Sequence, residues 1–167
     1  LGLAAGLTGP GAAADAGEVA GQISSQVLEA EWACRLEAPC LVISNAACSG
    51  GLAMTIPDGT TEDDPAFRQA PLLSLWIGPR PPGLTRLWAR VKWDNPCGNS
   101  FVCAVEPGIL KRTRVTGSLF QKWYWVLAGE LRESDAPAVL QVWNREDGIA
   151  IDQFALLPAD DAPPSDA

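Results

Sequence analysis

The sequence predicts an all-β protein, a two-sheet antiparallel β-sandwich, and three observations lead to that prediction. Its apolar segments are short and are separated by turn-forming runs such as SNAACSGG, GPRPPG and DNPCGN. Glycine and proline are abundant, with 16 and 14 residues in a chain of 167. A helical apolar period is found only for one turn near Asp63–Arg68. Eight or nine short strands in a chain of this length are typical of a sandwich.

The predicted strands follow one another from the first apolar segment to the last. They are Val27–Cys34, Cys40–Ser44, Gly51–Thr55, Leu72–Ile77, Thr85–Val91, Ser100–Val105, Trp123–Leu127, Val139–Trp143 and Ile149–Leu157. One domain is the natural division of 167 residues, with the sandwich at 27–157. Residues 158–167 form an acidic, proline-rich tail with little apolar surface to bury.

Residues 1–26 are rich in small side chains and are predicted to be a low-complexity arm or the remnant of an export signal. A short apolar stretch precedes Ala12-Ala13-Ala14, the kind of pattern that signal peptidase prefers. We therefore expect a secreted or extracytoplasmic protein, in the periplasm or at the cell surface. No run reaches the roughly 18–20 apolar residues that a transmembrane helix needs, so no transmembrane span is expected.

Charge and composition exclude several classes of function. The net charge is -8, whereas nucleic acids are bound by basic patches, so no nucleic acid partner is expected. The chain has no histidine, which excludes Ser-His-Asp and Cys-His catalysis and metal sites with imidazole ligands. Because the acidic residues lie mostly in loops and tails, no pair of carboxylates suggests glycoside hydrolysis. The sequence therefore predicts a protein that is not an enzyme.

Five cysteines leave their oxidation state open. None forms a CxxC pair, which makes a zinc site a poor interpretation. In an exported protein, Cys34 with Cys40 and Cys97 with Cys103 could close short loops, leaving Cys48 as an odd thiol. Buried unpaired cysteines are an equally good interpretation, because sequence alone does not determine pairing.

The segment LEAEWA places two carboxylates, Glu29 and Glu31, two residues apart in an apolar run. On a strand, alternate residues share a face, so the two acids would repel each other. Either both face water on an edge strand, where charge hinders aggregation, or a cation lies between them. The spacing alone leaves both interpretations open.

Six segments, one of them within LEAEWA, occur in an order that is characteristic of one group of proteins. They are EAE at Glu29–Glu31, CSGG at Cys48–Gly51, LTRLWARV at Leu84–Val91, NSFVCAVE at Asn99–Glu106, WYW at Trp123–Trp125 and NREDGIAIDQFAL at Asn144–Leu156. In this order the segments resemble the carbohydrate-binding modules of families 6 and 35. The resemblance implies that the sandwich is a jelly roll.

The same resemblance implies a structural calcium ion. Carried over to this chain, its ligands would be Glu29, Glu31 and Asp152, with backbone carbonyls around Ser49–Gly51. Calcium takes six to eight oxygen ligands, which carboxylates and carbonyls can supply. The ion would tie the first strand to the last. One departure from the family pattern is Ala150, where these modules commonly place a sugar-binding asparagine.

The seven tryptophans are candidates for stacking on sugar rings, and each also has a structural interpretation. Alternation with apolar neighbours predicts that Trp32 and Trp88 belong to the core, and Trp76 and Trp143 end apolar strands and are expected there too. The predicted ligand contacts are Trp93, in the polar run VKWDNPCGNS, and Trp123, the first tryptophan of WYW.

Two polar residues complete the predicted binding site. Asn99 opens the NSFVCAVE segment, and Arg145 lies in the NRED turn. Arg145 has two interpretations, a solvated ion pair with Glu146 or Asp147, or a contact with an acidic sugar or a partner's carboxylate.

Two functions therefore fit the sequence. The first is a non-catalytic carbohydrate-binding-module-like domain of an exported protein, which binds glycan through exposed tryptophans and holds a structural calcium ion. The alternative is a structural or accessory subunit of an extracytoplasmic assembly, which uses the same sandwich for contacts with a protein partner.

Overall fold

The computed structural model describes residues 25–60 and 70–165 and confirms the predicted all-β sandwich of two antiparallel sheets. Eleven strands run through this part of the chain. Their bounds are β1 Gln26–Glu29, β2 Arg35–Leu36, β3 Leu41–Ser44, β4 Leu52–Ile56, β5 Leu73–Ile77, β6 Arg80–Trp93, β7 Ser100–Glu106, β8 Leu110–Thr116, β9 Tyr124–Ser134, β10 Ala138–Asn144 and β11 Ile149–Pro158.

One sheet has six strands and the other has five. The six-stranded sheet has the order β3-β4-β11-β6-β9, and β1 also pairs with β11; the five-stranded sheet has the order β2-β5-β10-β7-β8. Neighbours in the sheets are mostly distant in sequence, which is typical of Greek-key connections. The long strands β6 and β11 lie side by side in the interior of the six-stranded sheet.

The core lies between the two sheets and follows the alternation of the strands. In β6 the inward residues Leu87, Ala89 and Val91 are fully buried, and Leu140 and Val142 of β10 face them from the other sheet. Burying one such Leu or Val side chain stabilises the fold by about 1.5–3 kcal/mol. From Thr85 to Trp93, residues of odd number thus face the core, and those of even number lie on the outer face.

The opening and closing parts of the sandwich are neighbours, as the calcium prediction requires. Strand β1 runs antiparallel to β11, with Leu28 opposite Phe154 and Glu29 opposite Gln153. Two backbone positions of β11, Ile151 and Gln153, flank a bulge in its pairing with β6. The residue in the bulge is Asp152, so the irregularity is what turns this side chain out of the regular alternation.

The first predicted strand, Val27–Cys34, is shorter than expected. It ends at Glu29, and Ala30–Trp32 form a single 3-10 turn, because the chain leaves one sheet there to reach the other. The crossing is complete at Cys34, whose backbone N–H donates to the Ser74 carbonyl at 2.9 Å. Glu31 therefore does not share a strand face with Glu29, contrary to the prediction.

Strand β8 was not predicted, and its sequence explains the omission. In LKRTRVT three of seven residues are basic, and Lys111, Arg112 and Arg114 are exposed. The strand lies at the edge of the five-stranded sheet, where charged side chains are tolerated and hinder aggregation. The helical turn predicted near 63–68 and most of the arm predicted at 1–26 lie outside the described residues.

All five cysteines are unpaired thiols in the structure. Cys40 and Cys103 are buried, whereas Cys34 and Cys97 are exposed, so neither of the two local pairings is formed. Burial raises the pKa of the Cys40 and Cys103 thiols to about 12, which keeps them protonated and unreactive.

Candidate functional site

An acidic cluster forms where β1, the 3-10 turn Ser49–Gly51 and β11 meet. The Ser49 hydroxyl donates to Glu29 Oε1 at 2.9 Å, and the Ser49 backbone N–H points at Asp152, 3.2 Å from Oδ1 and 3.3 Å from Oδ2. Gln153 Nε2 also donates to Glu29 Oε1, at 2.9 Å. One serine therefore links the carboxylate of the first strand to that of the last.

Glycines determine the shape of the turn that carries Ser49. Gly50 and Gly51 have φ angles of 61° and 75°, a region that glycine adopts without the penalty a Cβ brings. This backbone brings the Ser49 N–H to Asp152, so the turn offers a donor to that carboxylate. The Ser49 and Gly51 carbonyls already accept bonds from the backbone of Leu52 and Asn45.

Arg90 is the cation next to the cluster. Its Nη1 forms an ion pair with Asp152 Oδ2 and also donates to the Ala47 carbonyl at 3.2 Å. Asp152 is fully buried, and its burial raises its pKa even though Arg90 and the Ser49 N–H act in the opposite direction. Desolvation likewise raises the pKa of Glu31, and the nearby charges of Glu29 and Asp152 raise it further.

The cluster is acidic beyond what Arg90 neutralises. It holds three carboxylates and one guanidinium, and the second oxygens of Glu29 and Glu31, both Oε2, are buried without a hydrogen-bond partner. Within residues 25–60 and 70–165, no group of three or more acidic or cysteine side chains is arranged so that it could hold a metal ion. The two Oε2 atoms have no partner, and the carboxylates that carry them repel each other. This arrangement nevertheless fits a hard cation such as Ca²⁺, which completes its ligand shell with carbonyls and water.

Trp93 is a core residue, and its prediction as a ligand contact is wrong. It is the last residue of β6 and continues the inward series of that strand, so its side chain is fully buried. Its ring lies 6.0 Å from that of Phe101, and its Nε1 donates to Tyr124 Oη at 2.5 Å. The segment at 117–121 covers it, with Gln121 N donating to the Trp93 carbonyl at 2.8 Å.

Trp123 precedes β9 and is half-buried on the outer side of the six-stranded sheet. The guanidinium of Arg90 lies over its ring, 5.7 Å from the centroid. Arg90 therefore connects Trp123 to the acidic cluster. Trp125 is also half-buried and lies opposite Arg90 in the sheet, beside a cavity of about 330 Å³ that is lined by Cys48, Ser49 and Gln153.

Asn99 and Arg145 are brought together by Glu146, at the end of the sandwich where β7 begins. Glu146 Oε2 accepts bonds from the Asn99 backbone N–H at 3.0 Å and from the Ser100 hydroxyl at 2.6 Å. Arg145 forms an ion pair with Glu146 and donates to Ser100 Oγ at 2.7 Å. Arg145 therefore has the ion pair that one of its two interpretations required.

The two most exposed tryptophans are ones that were predicted to be buried. Trp32 is 68% exposed and Trp76 is 62% exposed, so the prediction that they belong to the core is wrong. Trp76 is the outward residue of β5, between the buried Leu75 and Ile77. Trp143 is buried as predicted, but on the outer face of its sheet, with Arg112 4.3 Å from its ring centroid.

The segment that carries Trp32 runs beside β5, the strand that carries Trp76. The side chain of Gln26 bonds to the backbone of Gly78 and Pro79, and the Cys34 N–H bonds to the Ser74 carbonyl. The segment from 26 to 34, which carries Trp32, is thereby held along β5 in the opposite direction. The alternation in LLSLWI contains the signal for an outward Trp76, because Leu73, Leu75 and Ile77 share the other face.

Several solved structures that match this architecture over nearly their whole length are carbohydrate-binding modules. A family 35 module from Clostridium thermocellum is 15% identical, with a TM-score of 0.56, over 79% of this chain and 98% of its own. The C-terminal family 6 module of a marine laminarinase from Zobellia galactanivorans is also 15% identical, with a TM-score of 0.56, over 80% and 99% of the two chains. The chain has the fold of carbohydrate-binding modules of families 6 and 35. The predicted resemblance is confirmed.

This module fold also occurs as part of larger proteins. A Podospora anserina GH26-CBM35 β-(1,4)-mannanase is 19% identical, with a TM-score of 0.58, over 84% of this chain. The chain spans 29% of that mannanase. No protein-family model matches the sequence, and no curated protein does. In the part of the chain that the structure describes, no helix is long and apolar enough to cross a membrane.

Proposed function

We propose that the protein is a non-catalytic glycan-binding module and that Trp76 and Trp32 stack on the sugar. The exposure of Trp76 is the observation that carries this proposal, since an indole 62% exposed on a sheet face leaves a large apolar surface in water. The flat apolar faces of sugar rings bury such a surface by stacking. Gln141 lies opposite Ser74 on the same outer face and offers polar atoms to sugar hydroxyls.

A glycan panel with single tryptophan variants tests the proposal. Trp76→Ala is expected to weaken binding of a retained glycan at least tenfold, and Trp32→Ala by a smaller factor, because each removes one stacking surface. Affinity electrophoresis against immobilised polysaccharides gives the measurement. Leu119→Ala, which shortens another exposed apolar side chain, is the matched control and should bind like the unchanged protein.

The same panel decides between two locations of the site. The family resemblance favours the region of Trp123, Asn99 and Arg145 as the ligand site, although Ala150 there supplies no side-chain hydrogen bond. Loss of binding in Trp123→Ala with normal binding in Trp76→Ala would move the site to that region. If the unchanged protein were retained by none of the glycans, the proposed function as a glycan-binding module would be contradicted.

Calcium and export belong to this proposal. Glu29, Glu31 and Asp152 would hold the ion, which would neutralise their repulsion and join β1 to β11; it would have a structural role and no part in chemistry. The sequence features of residues 1–26 support an exported protein. These features agree with a glycan ligand outside the cytoplasm.

The alternative function is an accessory subunit of an extracytoplasmic assembly. It is favoured by β3, an edge strand of the six-stranded sheet on which Leu41 and Val42 are 42% and 41% exposed. A partner strand could add to this edge and cover both side chains. A glycan panel without retention, together with a co-purifying partner that Val42→Lys releases, would favour this function over the first.

A further inference from the structure

A cavity of about 620 Å³ lies at the end of β6 and β9 that is remote from the acidic cluster. Its walls include Arg80 and Leu84 of β6, Arg132 and Glu133 of β9, and Ile109 of the turn before β8. Leu84 lies six positions before Arg90 of the acidic cluster in β6, which corresponds to about 20 Å of extended chain. The cavity shares no residue with the acidic cluster or the tryptophans of the proposed function. Its size is within the usual range of small-ligand sites.

Arg80 is the unusual residue of this cavity. Its side chain is 1% exposed, and its Nε donates to the Arg132 backbone carbonyl at 3.0 Å. Both terminal nitrogens, Nη1 and Nη2, are buried and have no hydrogen-bond partner. No acidic side chain in the described part of the chain pairs with these nitrogens, and burying a charge without a partner is costly. Burial accordingly lowers the pKa of Arg80.

The acidic residues on the rim already have other partners. Glu130 Oε1 lies 3.3 Å from Arg86 Nε, and Glu133 Oε2 accepts a bond from the Gly83 N–H at 2.9 Å. Both side chains are exposed and directed to these partners. Neither of these acids therefore pairs with the end of the Arg80 guanidinium. Arg132 adds a second positive charge to the wall of the cavity.

We propose that this cavity is an anion site in which Arg80 binds a carboxylate, carried by a small organic acid or by an acidic sugar. With Nε fixed by the Arg132 carbonyl, the remaining Nη1 and Nη2 form the fork that matches the two oxygens of a carboxylate. Leu84 and Ile109 provide apolar walls for the carbon atoms of the ligand. The Nη atoms are shielded from solvent, so a ligand reaches them only when side chains at the rim of the cavity move.

Titration of the whole chain with sodium acetate, sodium glucuronate, glucose and sodium sulfate tests this site. Backbone amide shifts of Gly83, Gly108 and Ser134, followed by NMR, report on the cavity. Both carboxylates should shift these amides in a saturable way, and glucose should not. Tighter binding of glucuronate than of acetate would identify an acidic sugar, and the reverse a small organic acid. If sulfate binds more tightly than both carboxylates, or if none of the anions shifts these amides, the assignment is wrong.

Three variants separate the anion site from a purely structural role for Arg80. Arg80→Met removes the charge at similar volume and should weaken carboxylate binding at least tenfold. The melting temperature should not fall, because the substitution also removes the cost of burying an unpaired charge. Arg132→Gln keeps the carbonyl that orients Arg80 and should reduce affinity less than threefold. Arg80→Lys keeps the charge without the fork and should weaken binding at least threefold.

Two results would overturn the proposal. Unchanged carboxylate affinity in Arg80→Lys would do so even if Arg80→Met does not fold, because the fork would then be unnecessary. A parallel loss of stability in Arg80→Met and Glu133→Gln, measured without added anions, would show that Glu133 is the counter-charge of Arg80 in solution.

Discussion

Replacing Trp93 with alanine is expected to lower the free energy of unfolding by about 3 to 5 kcal/mol. The side chain is fully buried at the end of β6, and its loss leaves a cavity against Phe101. It also leaves Tyr124 Oη without the indole N–H that now donates to it. Urea unfolding of both proteins, followed by circular dichroism, measures the difference as a shift of the midpoint at constant slope.

Trp32→Ala is the matched control for this experiment. It removes the same side chain from a position that is 68% exposed, so the free energy of unfolding should change by no more than about 0.5 kcal/mol. Equal destabilisation by the two substitutions would contradict the burial of Trp93. Loss of glycan binding by a folded, fully stable Trp93→Ala protein would restore Trp93 as a ligand contact.

The fold was predictable because its strands alternate and its turns are marked by Gly, Pro and Asn. Segments such as LLSLWI and AVLQVWN became β5 and β10 nearly at the predicted bounds. Strand β8 escaped prediction because an edge strand is specified by pairing with one neighbour and needs little apolar content. Local patterns therefore predict central strands better than edge strands.

The tryptophans show where sequence reasoning failed although the signal was present. Trp93 follows Leu87, Ala89 and Val91 at a spacing of two, which assigns it to the core face in spite of its polar neighbours. Trp76 has the opposite parity to Leu75 and Ile77 and so faces outward. For both tryptophans, the alternation of the strand predicts the direction of the side chain better than the polarity of the neighbouring residues does.

The acidic cluster depended on contacts that no local pattern contains. The spacing of Glu29 and Glu31 by itself favoured a water-exposed pair over a cation site, and only the family resemblance added Asp152. The ion pair of Asp152 with Arg90, across two strands, follows from the bulge in β11. The buried Arg80 likewise has no signal in a sequence, because its missing partner is defined only by the fold.

Calcium at pH 7 is expected to stabilise the protein against unfolding by about 2.7 kcal/mol when its concentration is 100 times the dissociation constant. The ion would bind the native cluster, where the Oε2 atoms of Glu29 and Glu31 are buried without partners. Thermal unfolding in CaCl₂ and in EDTA gives the measurement. Glu31→Gln should lose most of the response, whereas Glu130→Gln, which changes an exposed acid paired with Arg86, should keep it.

The pH dependence of the same experiment has opposite signs with and without calcium. The pKa values of Glu31 and Asp152 are raised above the ordinary 4.5 and 3.8, so their charged forms destabilise the native state at neutral pH. In EDTA this penalty is relieved as the pH falls through the raised pKa values toward the ordinary ones, and the contribution of the two acids to stability increases. In CaCl₂ protons compete with the ion, so the added stability decreases over the same range. Equal melting temperatures in CaCl₂ and EDTA at every pH would refute the calcium site, and Arg90 would then be the cation that holds the acids together.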